Sequence, residues 1–274
     1  MIKAKDGTPL FTQSWRVDDP GAVVVLTHGH GEHANRYLHV GRAFTAAGYS
    51  AYAYDLRGHG RSGGPRGYAP GYEAILDDLQ SIIDWARAEN PGRRMFLYGH
   101  STGGQITLNF ALRRKPDVAG VIASSAWLRL VFVPPPWKIV LGRGLARVWP
   151  GFAMPKGLEN THMSHDLQWL EAQRDPKLSC DVLTARMAVE FVAAGEDAIR
   201  RAPELALPLL MLHGSADDLT DPAATRLFYE RAGSTDKTYR LYDGLYHELH
   251  NETDRQTVLQ DITSWLNQRS GGTQ

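Results

Sequence analysis

The sequence has little of several features that mark large classes of proteins. Among its 274 residues is a single cysteine, Cys180, which excludes a disulfide within the chain and is typical of a reducing compartment. Its 30 lysine and arginine residues equal its 30 aspartate and glutamate residues in number. Without an excess of positive charge, no nucleic-acid partner is expected.

Long apolar segments are missing as well. No stretch of about 18 uninterrupted apolar residues occurs, so no transmembrane helix is expected. The first residues, Met1–Gly7, lack the apolar segment of a secretory signal peptide. These absences predict a soluble, cytoplasmic protein. Its length is enough for one domain with a large core and an insertion.

Strand patterns and helical patterns alternate along most of the chain. The run Ala22–Thr27 is apolar without polar alternation, as in a strand that is buried on both faces of a parallel sheet. Apolar residues at helical spacing follow most of the strands. Further strands are predicted at Ser50–Leu56, Met95–Tyr98, Val118–Ser124, Leu207–Leu212 and Lys237–Tyr242. The alternation predicts an α/β protein with a mostly parallel central sheet flanked by helices.

This alternation stops after Ala126. Residues 127–205 are too many for an ordinary loop, so we predict an inserted cap between two parts of a core, residues 1–126 and 206–274. Within the cap, helices are expected at Asp166–Gln173 and Val182–Ala194. Its first segment is a stripe of large apolar residues beside three prolines: Trp127, Leu128, Leu130, Val131, Phe132, Val133, Trp137 and Ile139.

The segment Gly99-His100-Ser101-Thr102-Gly103 lies between a predicted strand and a predicted helix. A serine at such a sharp turn is typical of a nucleophile elbow, in which a strained backbone pushes the hydroxyl outward. Bulky residues two positions away would clash, and Gly99 and Gly103 avoid this. The pattern predicts that Ser101 is the nucleophile of a hydrolase.

An acid and a histidine follow the last two predicted strands. Open parallel sheets bind ligands at the carboxyl ends of their strands, where Asp217 and His247 are expected. The order Ser101, Asp217, His247 is that of an α/β-hydrolase triad. Neutral His247 would take the serine proton, and Asp217 would orient the imidazole and stabilise its charged form. Asp218 and Asp221 compete with Asp217, although Asp221-Pro222 has the pattern of a helix N-cap.

Attack by the serine would create an oxyanion that needs two hydrogen-bond donors. The backbone N–H of Thr102, at the start of the helix after the serine, is the first candidate. The second is the backbone N–H of His30, in the loop after the strand Ala22–Thr27.

Taken together, these patterns resemble the monoacylglycerol lipases, a capped branch of the α/β-hydrolases. The resemblance covers nearly the whole chain and implies hydrolysis of monoacylglycerols to fatty acid and glycerol, with no cofactor and no metal. It also implies Ser101, Asp217 and His247 as the triad. The matching motifs are His28-Gly29-x-Gly31-Glu32-His33-x-x-Arg36-Tyr37, Gly58-His59-Gly60-x-Ser62, Gly99-His100-Ser101-x-Gly103-Gly104, Gly214-Ser215-Ala216-Asp217 and Tyr246-His247-x-Leu249-His250-x-Glu252.

The same resemblance implies that Glu32, Arg36 and His250 hold the glycerol head, and that the backbone N–H groups of His30 and Thr102 form the oxyanion hole. Two positions depart from the family pattern. Thr102 stands where these lipases usually have Met, and His30 stands where they often have Ala. Both changes alter the wall of the pocket and leave the backbone donors in place.

Other interpretations of these residues remain open. His28-Gly29-His30-Gly31-Glu32-His33 nearly matches the H-x-H-x-D-H motif of dinuclear metal hydrolases. That interpretation puts Glu in place of Asp and gives Ser101, Asp217 and His247 no purpose. Glu32 and Arg36 could also pair only with each other and brace the loop that contains them.

The activity itself also has alternatives. A general carboxylesterase, a lysophospholipase and an aminopeptidase share the same triad, and some α/β-hydrolase folds bind ligands without turnover. The apolar stripe of the cap favours a lid that faces acyl chains or a bilayer surface over ordinary core. The expected partners are therefore a lipid ester substrate and, through the cap, a membrane or micelle surface.

Overall fold

The computed structural model describes residues 1–132, 135–155 and 162–271. The strands are β1 (Ile2–Lys3), β2 (Pro9–Leu10), β3 (Thr12–Trp15), β4 (Ala22–Thr27), β5 (Tyr49–Tyr54), β6 (Met95–His100), β7 (Gly120–Ser124), β8 (Ala153–Pro155), β9 (Val182–Thr184), β10 (Leu209–Gly214) and β11 (Lys237–Tyr242). The helices are α1 (Leu38–Ala46), α2 (Tyr72–Glu89), α3 (Thr102–Arg114), α4 (Pro136–Val148), α5 (Leu167–Ala172), α6 (Ala185–Arg201), α7 (Pro222–Arg231) and α8 (Arg255–Asn267).

The central sheet has seven strands in the order β11-β10-β7-β6-β4-β5-β3. All neighbours are parallel except β3 and β5, which pair antiparallel. The predicted parallel sheet is confirmed, and β3 adds an edge strand that the sequence patterns did not predict. The register places Thr27, the last residue of β4, beside Gly99 of β6. The loop after β4 therefore begins next to the Ser101 turn.

Helices cover both faces of the sheet because successive residues of a strand point to opposite sides. Val24 and Leu26 of β4 pack with residues of α1 and α8. Val23 and Val25 pack with residues of α2 and α3 on the opposite face. All six residues of β4 are buried, which explains why its sequence lacks polar alternation.

The segment between β7 and β10 contains α4, α5, α6 and a small antiparallel sheet of β8 and β9. The helix predicted at Asp166–Gln173 is confirmed as α5, and the Asp166 side chain caps it by accepting a hydrogen bond from the Trp169 N–H at 3.0 Å. The helix predicted to begin at Val182 begins at Ala185 instead. Val182–Thr184 pairs with Ala153–Pro155, as suits the β-branched Val182 and Thr184.

The C-terminal helix of this segment, α6, packs on the core. The Gln105 and Asn109 side chains of α3 donate hydrogen bonds to the carbonyl oxygens of Phe191 and Ala194, at 2.8 and 3.1 Å. Leu128 is 1% exposed and belongs to a buried cluster with residues of α3 and α6. The expectation that Leu128 faces lipid is therefore wrong, because α6 covers it. The three-part division at residues 126 and 205 stays a prediction.

The later part of the stripe is exposed. Phe132 is 65% and Trp137 is 63% exposed. Of the predicted stripe, Val133 lies outside the described residues, as does the Ile139 side chain. We call the exposed apolar surface around α4 the α4 face; its residues are Val131, Phe132, Trp137, Val140, Leu141, Val148 and Trp149. None of the described helices combines the length and apolar character needed to cross a membrane.

Candidate active site

Ser101 lies at the turn between β6 and α3, as the elbow pattern predicts. Its φ of 55° and ψ of −119° are unfavourable for a residue with a side chain, at a cost of about 1–3 kcal/mol. The flanking glycines are required by close contacts. A Cβ on Gly99 would lie 2.2 Å from the Gly103 carbonyl oxygen, and one on Gly103 would lie 2.1 Å from the Thr27 carbonyl oxygen. The turn places Ser101 on the wall of a cavity.

Asp217 is buried at the carboxyl end of β10, and its carboxylate accepts five hydrogen bonds. Oδ1 accepts from the backbone N–H groups of Leu219 and Thr220, at 2.9 and 3.0 Å. Oδ2 accepts from His247 Nδ1 at 2.7 Å, His213 Nε2 at 3.0 Å and Thr220 Oγ1 at 2.8 Å. Burial alone would raise the pKa of Asp217, but the two imidazoles outweigh it and hold this pKa well below its ordinary value. Asp217 is therefore an anion at neutral pH.

His247 follows β11 and lines the same cavity as Ser101. Burial disfavours a charged imidazole, but the Asp217 carboxylate outweighs burial and raises the pKa of His247 above its ordinary value of 6.5. The ring of His100 lies 4.8 Å from that of His247. Burial lowers the pKa of His100 to about 3, and the neighbouring His247 adds to this shift. Of the two rings, His247 is the one that can take up a proton near neutral pH.

The competing acids have other contacts. Asp218 is exposed and pairs with His162 on the surface. Asp221 caps α7, where its carboxylate accepts a hydrogen bond from the Ala223 N–H at 2.8 Å, as predicted. Of these three acids, Asp217 is the one that the structure brings to His247.

The two candidate oxyanion donors flank Ser101. Thr102 is the first residue of α3, and the first N–H groups of a helix have no acceptor within it. On the other side, a Cβ on Gly29 would lie only 3.2 Å from Ser101 Cβ, and the next residue, His30, lines the cavity. His30 Nε2 donates a hydrogen bond to the Val182 carbonyl oxygen at 2.9 Å, which ties this loop to β9.

Glu32, Arg36 and Glu248 form a charged cluster on the cavity wall, which we call the polar end. Arg36 Nη1 donates to Glu32 Oε1 at 2.7 Å and to Glu248 Oε1 at 3.1 Å, and Nη2 donates to Glu248 Oε2 at 2.7 Å. Glu32 Oε2 accepts from the Gly29 N–H at 2.8 Å and from the Tyr37 hydroxyl at 2.7 Å. Burial would raise the pKa of Glu32, but the Arg36 charge outweighs burial and holds this pKa well below its ordinary value. Glu32 and Arg36 thus both brace the loop and face the cavity.

The structure places His250 differently from what the resemblance implied. It is completely buried behind the polar end, with its ring stacked on Tyr37 at 4.6 Å and in edge contact with His100 at 4.7 Å. Burial lowers the pKa of His250 well below its ordinary value. Among the described residues that line the cavity, Glu248 is present and His250 is not. A direct contact between His250 and a substrate therefore has no support in this geometry.

The cavity that joins these groups has a volume of about 500 Å³. Ser101, His247 and the polar end lie on its core side. The opposite side is built largely from the segment between β7 and β10. The apolar lining residues are Trp127, Leu130, Met163, Leu167, Leu170, Leu183 and Leu219. The cavity thus has both apolar and polar lining residues, which an ester with an apolar acyl chain and a polar alcohol can use.

The histidine-rich motif after β4 does not converge on one point. His28 Nε2 accepts a hydrogen bond from the Leu56 N–H at 2.9 Å, and His30 Nε2 faces the Val182 carbonyl oxygen. A second group of possible ligands, Glu32, Glu248 and His250, has ligand atoms within 4.8 Å of one another. The positively charged group that binds both of these carboxylates is the Arg36 guanidinium.

Sequence patterns missed several residues of this site, among them His213 and Glu248. His213 is the penultimate residue of β10, and its neighbour Gly214 is part of the quoted motif. Glu248 directly follows His247, at a position that the family motif leaves variable. A charged residue next to a proposed catalytic histidine was the signal that could have revealed it.

Comparisons with known proteins agree with this architecture. Residues 18–254 match the family described as "Serine aminopeptidase, S33". The chain is 34% identical over 262 residues to a monoacylglycerol lipase of Mycolicibacterium smegmatis, covering 95% of this chain and 93% of that protein. It is 28% identical over 257 residues to the phospholipase YtpA of Bacillus subtilis, covering 93% of this chain and 98% of that protein.

A solved structure gives the same result for the fold. The crystal structure of Paleococcus ferrophilus monoacylglycerol lipase superposes with a TM-score of 0.86 and 30% identity, over 95% of this chain and 99% of that chain. The predicted α/β-hydrolase fold and the family resemblance are confirmed. The chain therefore belongs to the serine aminopeptidase S33 family of α/β-hydrolases, and within that family it is a serine hydrolase similar to the monoacylglycerol lipases and related esterases.

Proposed function

We propose that the protein hydrolyses monoacylglycerols to fatty acid and glycerol through an acyl-enzyme on Ser101. The observation that carries this proposal is the 2.7 Å hydrogen bond between Asp217 and His247, on a cavity that Ser101 also lines. His247 takes the Ser101 proton as the hydroxyl oxygen attacks the ester carbonyl. Asp217 holds the imidazole by Nδ1, keeps Nε2 available as the base and stabilises the imidazolium that forms.

The tetrahedral intermediate places its oxyanion between the backbone N–H groups of Thr102 and His30. Its collapse breaks the ester bond, and His247 returns the proton to the departing glycerol oxygen. A water molecule, deprotonated by the same imidazole, then attacks the acyl-enzyme. The second collapse releases the fatty acid and restores the Ser101 hydroxyl.

The polar end receives the glycerol head in this proposal. Glu32 Oε1 and Glu248 Oε1 both bind Arg36 Nη1, at 2.7 and 3.1 Å, so two carboxylate oxygens lie side by side on the cavity wall. Two hydroxyls of a monoacylglycerol can each donate a hydrogen bond there. Diacylglycerol and triacylglycerol have fewer hydroxyls to donate to these oxygens, and their extra acyl chains would have to fit into the same cavity.

The α4 face supplies a contact with a lipid surface. Its exposed aromatic and aliphatic side chains are concentrated within residues 131–149, whereas ordinary exposed apolar residues are scattered singly. We infer that this face rests on a membrane or micelle. Leu130, which lines the cavity, directly precedes Val131 of this face, so the contact would bring the cavity wall close to substrates dissolved in that phase.

The triad is tested by labelling with a fluorophosphonate, which reacts with an activated serine. Ser101→Ala should lose both labelling and turnover while its circular dichroism stays that of the wild type. A chelator should leave the wild-type rate unchanged. Persistent labelling of Ser101→Ala would place the nucleophile elsewhere, and unlabelled wild-type protein would indicate a binding protein without turnover.

The substrate is tested with a panel of esters at matched acyl chain: monoacylglycerol, diacylglycerol, triacylglycerol, lysophospholipid and p-nitrophenyl ester. Monoacylglycerol should be cleaved fastest among the glycerides. Glu32→Gln keeps an oxygen for the Gly29 N–H and loses the acceptor at Oε1. It should raise KM for monoacylglycerol about tenfold, with kcat/KM for the p-nitrophenyl ester changed by less than about threefold.

A second candidate function is hydrolysis of lysophospholipids or of simple esters by the same triad. It is favoured by the similarity to the phospholipase YtpA, which covers 93% of this chain. The same ester panel separates the candidates. Equal rates on all esters of the panel would indicate a general carboxylesterase. Faster hydrolysis of lysophospholipid than of monoacylglycerol would mean that the proposed triad chemistry is right and the proposed head group is wrong.

A further inference from the structure

The polar end contains one more negative charge than positive charge. Its single guanidinium, Arg36, lies between the carboxylates of Glu32 and Glu248. Glu32 and Glu248 are both 5% exposed, so water screens their charges little. The imidazoles of His100 and His250 behind them do not restore the balance, because burial lowers the pKa of both.

Glu248 is held firmly in this cluster. Its two carboxylate oxygens bind the two terminal nitrogens of Arg36, at 3.1 and 2.7 Å. Oε2 also accepts a hydrogen bond from Asn251 Nδ2 at 2.7 Å, and the backbone N–H donates to the Met163 carbonyl oxygen at 2.7 Å. An arginine fork recognises a phosphate through two parallel hydrogen bonds. Glu248 already occupies that fork.

Among the described residues, the remaining charged groups on the cavity wall do not offer a cationic site either. Arg174 lies 3.6 Å from the carboxylate of Glu171, and both side chains are largely exposed. Asp181 adds a further carboxylate to the lining. A phosphate on the alcohol part of a substrate would thus meet carboxylates in a partly buried space.

We propose that Glu248 is a specificity-determining residue that restricts the substrates to esters with an uncharged polyol head and excludes those with a phosphate on the alcohol. This inference rests on the proposed function, in which the polar end receives the alcohol part of the ester. Hydroxyl groups gain two acceptors there. A phosphate brings further negative charge beside an excess of negative charge, and this repulsion rises as water is excluded.

The test compares monoacylglycerol with lysophosphatidate, which is the same molecule with a phosphate on the glycerol, at matched acyl chain. A p-nitrophenyl ester of that acyl chain reports on the chemistry alone. Wild-type kcat/KM for lysophosphatidate should be lower than that for monoacylglycerol by about tenfold or more. Glu248→Gln removes the excess charge and weakens the hold on Arg36. It should raise kcat/KM for lysophosphatidate itself by about tenfold, with the p-nitrophenyl ester changed by less than about threefold.

Glu196→Gln is the matched control, since it makes the same change to a carboxylate that also binds an arginine, Arg129, through two hydrogen bonds but is not among the described residues that line the cavity. It should leave lysophosphatidate hydrolysis at the wild-type level. Glu248→Ala is measured beside Glu248→Gln, so that a folding defect in one variant does not decide the outcome. Thermal melting of both variants identifies such a defect.

Three results would overturn the inference. They are equal wild-type cleavage of the two lipids, no gain for lysophosphatidate in folded Glu248 variants, and the same gain in Glu196→Gln. The proposed function fails separately, if monoacylglycerol is not preferred among the esters and Glu32→Gln leaves its KM unchanged. A preference for monoacylglycerol with no effect of Glu248 on lysophosphatidate would remove this inference alone.

Discussion

Replacing Asp217 by Asn is expected to invert the hydrogen-bond pattern that orients His247. In the wild type, Oδ1 accepts from two backbone N–H groups, of Leu219 and Thr220. The loop fixes these two N–H donors, so the amide oxygen of Asn has to occupy the Oδ1 position that faces them. The amide NH₂ then faces Nδ1 of His247 and Nε2 of His213, which both donate to Oδ2 in the wild type. His247 has to accept at Nδ1, and its proton moves to Nε2.

With the proton on Nε2, the imidazole cannot accept the proton of Ser101. The loss of kcat expected for this wrong tautomer is about 10³–10⁴-fold. At 1.36 kcal/mol for each factor of ten, this corresponds to about 4–5 kcal/mol of transition-state stabilisation. The Asp217 charge, which raises the pKa of His247, is lost at the same time.

The measurement is kcat on a short p-nitrophenyl ester, with folding checked by circular dichroism and thermal melting. Asp218→Asn is the matched control because it makes the same chemical change one residue along the chain, on an exposed side chain that pairs with His162. Its kcat should stay within about twofold of the wild type. A folded Asp217→Asn protein with more than about one-tenth of wild-type kcat would refute the reasoning, and so would an inactive Asp218→Asn protein.

Three further predictions concern pH, lipid contact and stability. Because the base has to be neutral and Asp217 raises the pKa of His247, wild-type kcat/KM should fall with decreasing pH at a midpoint above 6.5; in Asp217→Asn this midpoint should move to lower pH. Changing both Phe132 and Trp137 to Ser should weaken vesicle binding and raise KM for long-chain substrates, with the short ester and a Val192→Ser control unaffected. Equal losses on both substrates would mean that these side chains support folding. Asp221→Ala removes the α7 cap and should lower the free energy of unfolding by about 0.5–2 kcal/mol with activity retained, as measured by denaturant titration.

The interior strands of the sheet were predictable from the sequence because burial on both faces leaves a distinct apolar pattern. In β4 this pattern covers the whole strand, and the observed bounds equal the predicted ones. The edge strand β3 has no such pattern. Its four residues, Thr12–Trp15, are all only partly buried, and their pairing partner β5 lies more than 30 residues away. Local composition does not encode such a pairing.

The segment between β7 and β10 was harder to predict because distant contacts decide its structure. Leu128 has the same apolar character as Phe132, yet one is buried and the other is exposed. The difference is set by α6, where the position of Gly195 brings the helix so close that a Cβ there would lie 2.1 Å from the Leu128 carbonyl oxygen. Periodicity within the stripe carries no information about that contact.

In the candidate site, too, local sequence determines one part and contacts between distant residues determine another. The geometry of the Ser101 turn follows from five consecutive residues, and its strained φ and close glycine contacts agree with the local pattern. The polar end depends on Arg36 and Glu248, which are 212 residues apart in the chain. The family motif identified Arg36 as a residue of the site, but it did not identify Glu248. It also assigned a substrate contact to His250, which the structure buries behind Tyr37.

The proposed mechanism needs one base that titrates near neutral pH, and burial together with the contact to Asp217 distinguishes it among the eleven histidines. Desolvation lowers the pKa of His59, His100 and His250, so these rings stay neutral and serve as packing and hydrogen-bonding groups. His247 is buried as well, but Nδ1 contacts a carboxylate, and that contact reverses the direction of the shift. Glu32 is also a buried carboxylate near imidazoles, yet Arg36 takes up its charge. In the described part of the chain, Asp217 contacts no arginine. Its negative charge is therefore available to stabilise the charged form of His247, the imidazole that faces the cavity.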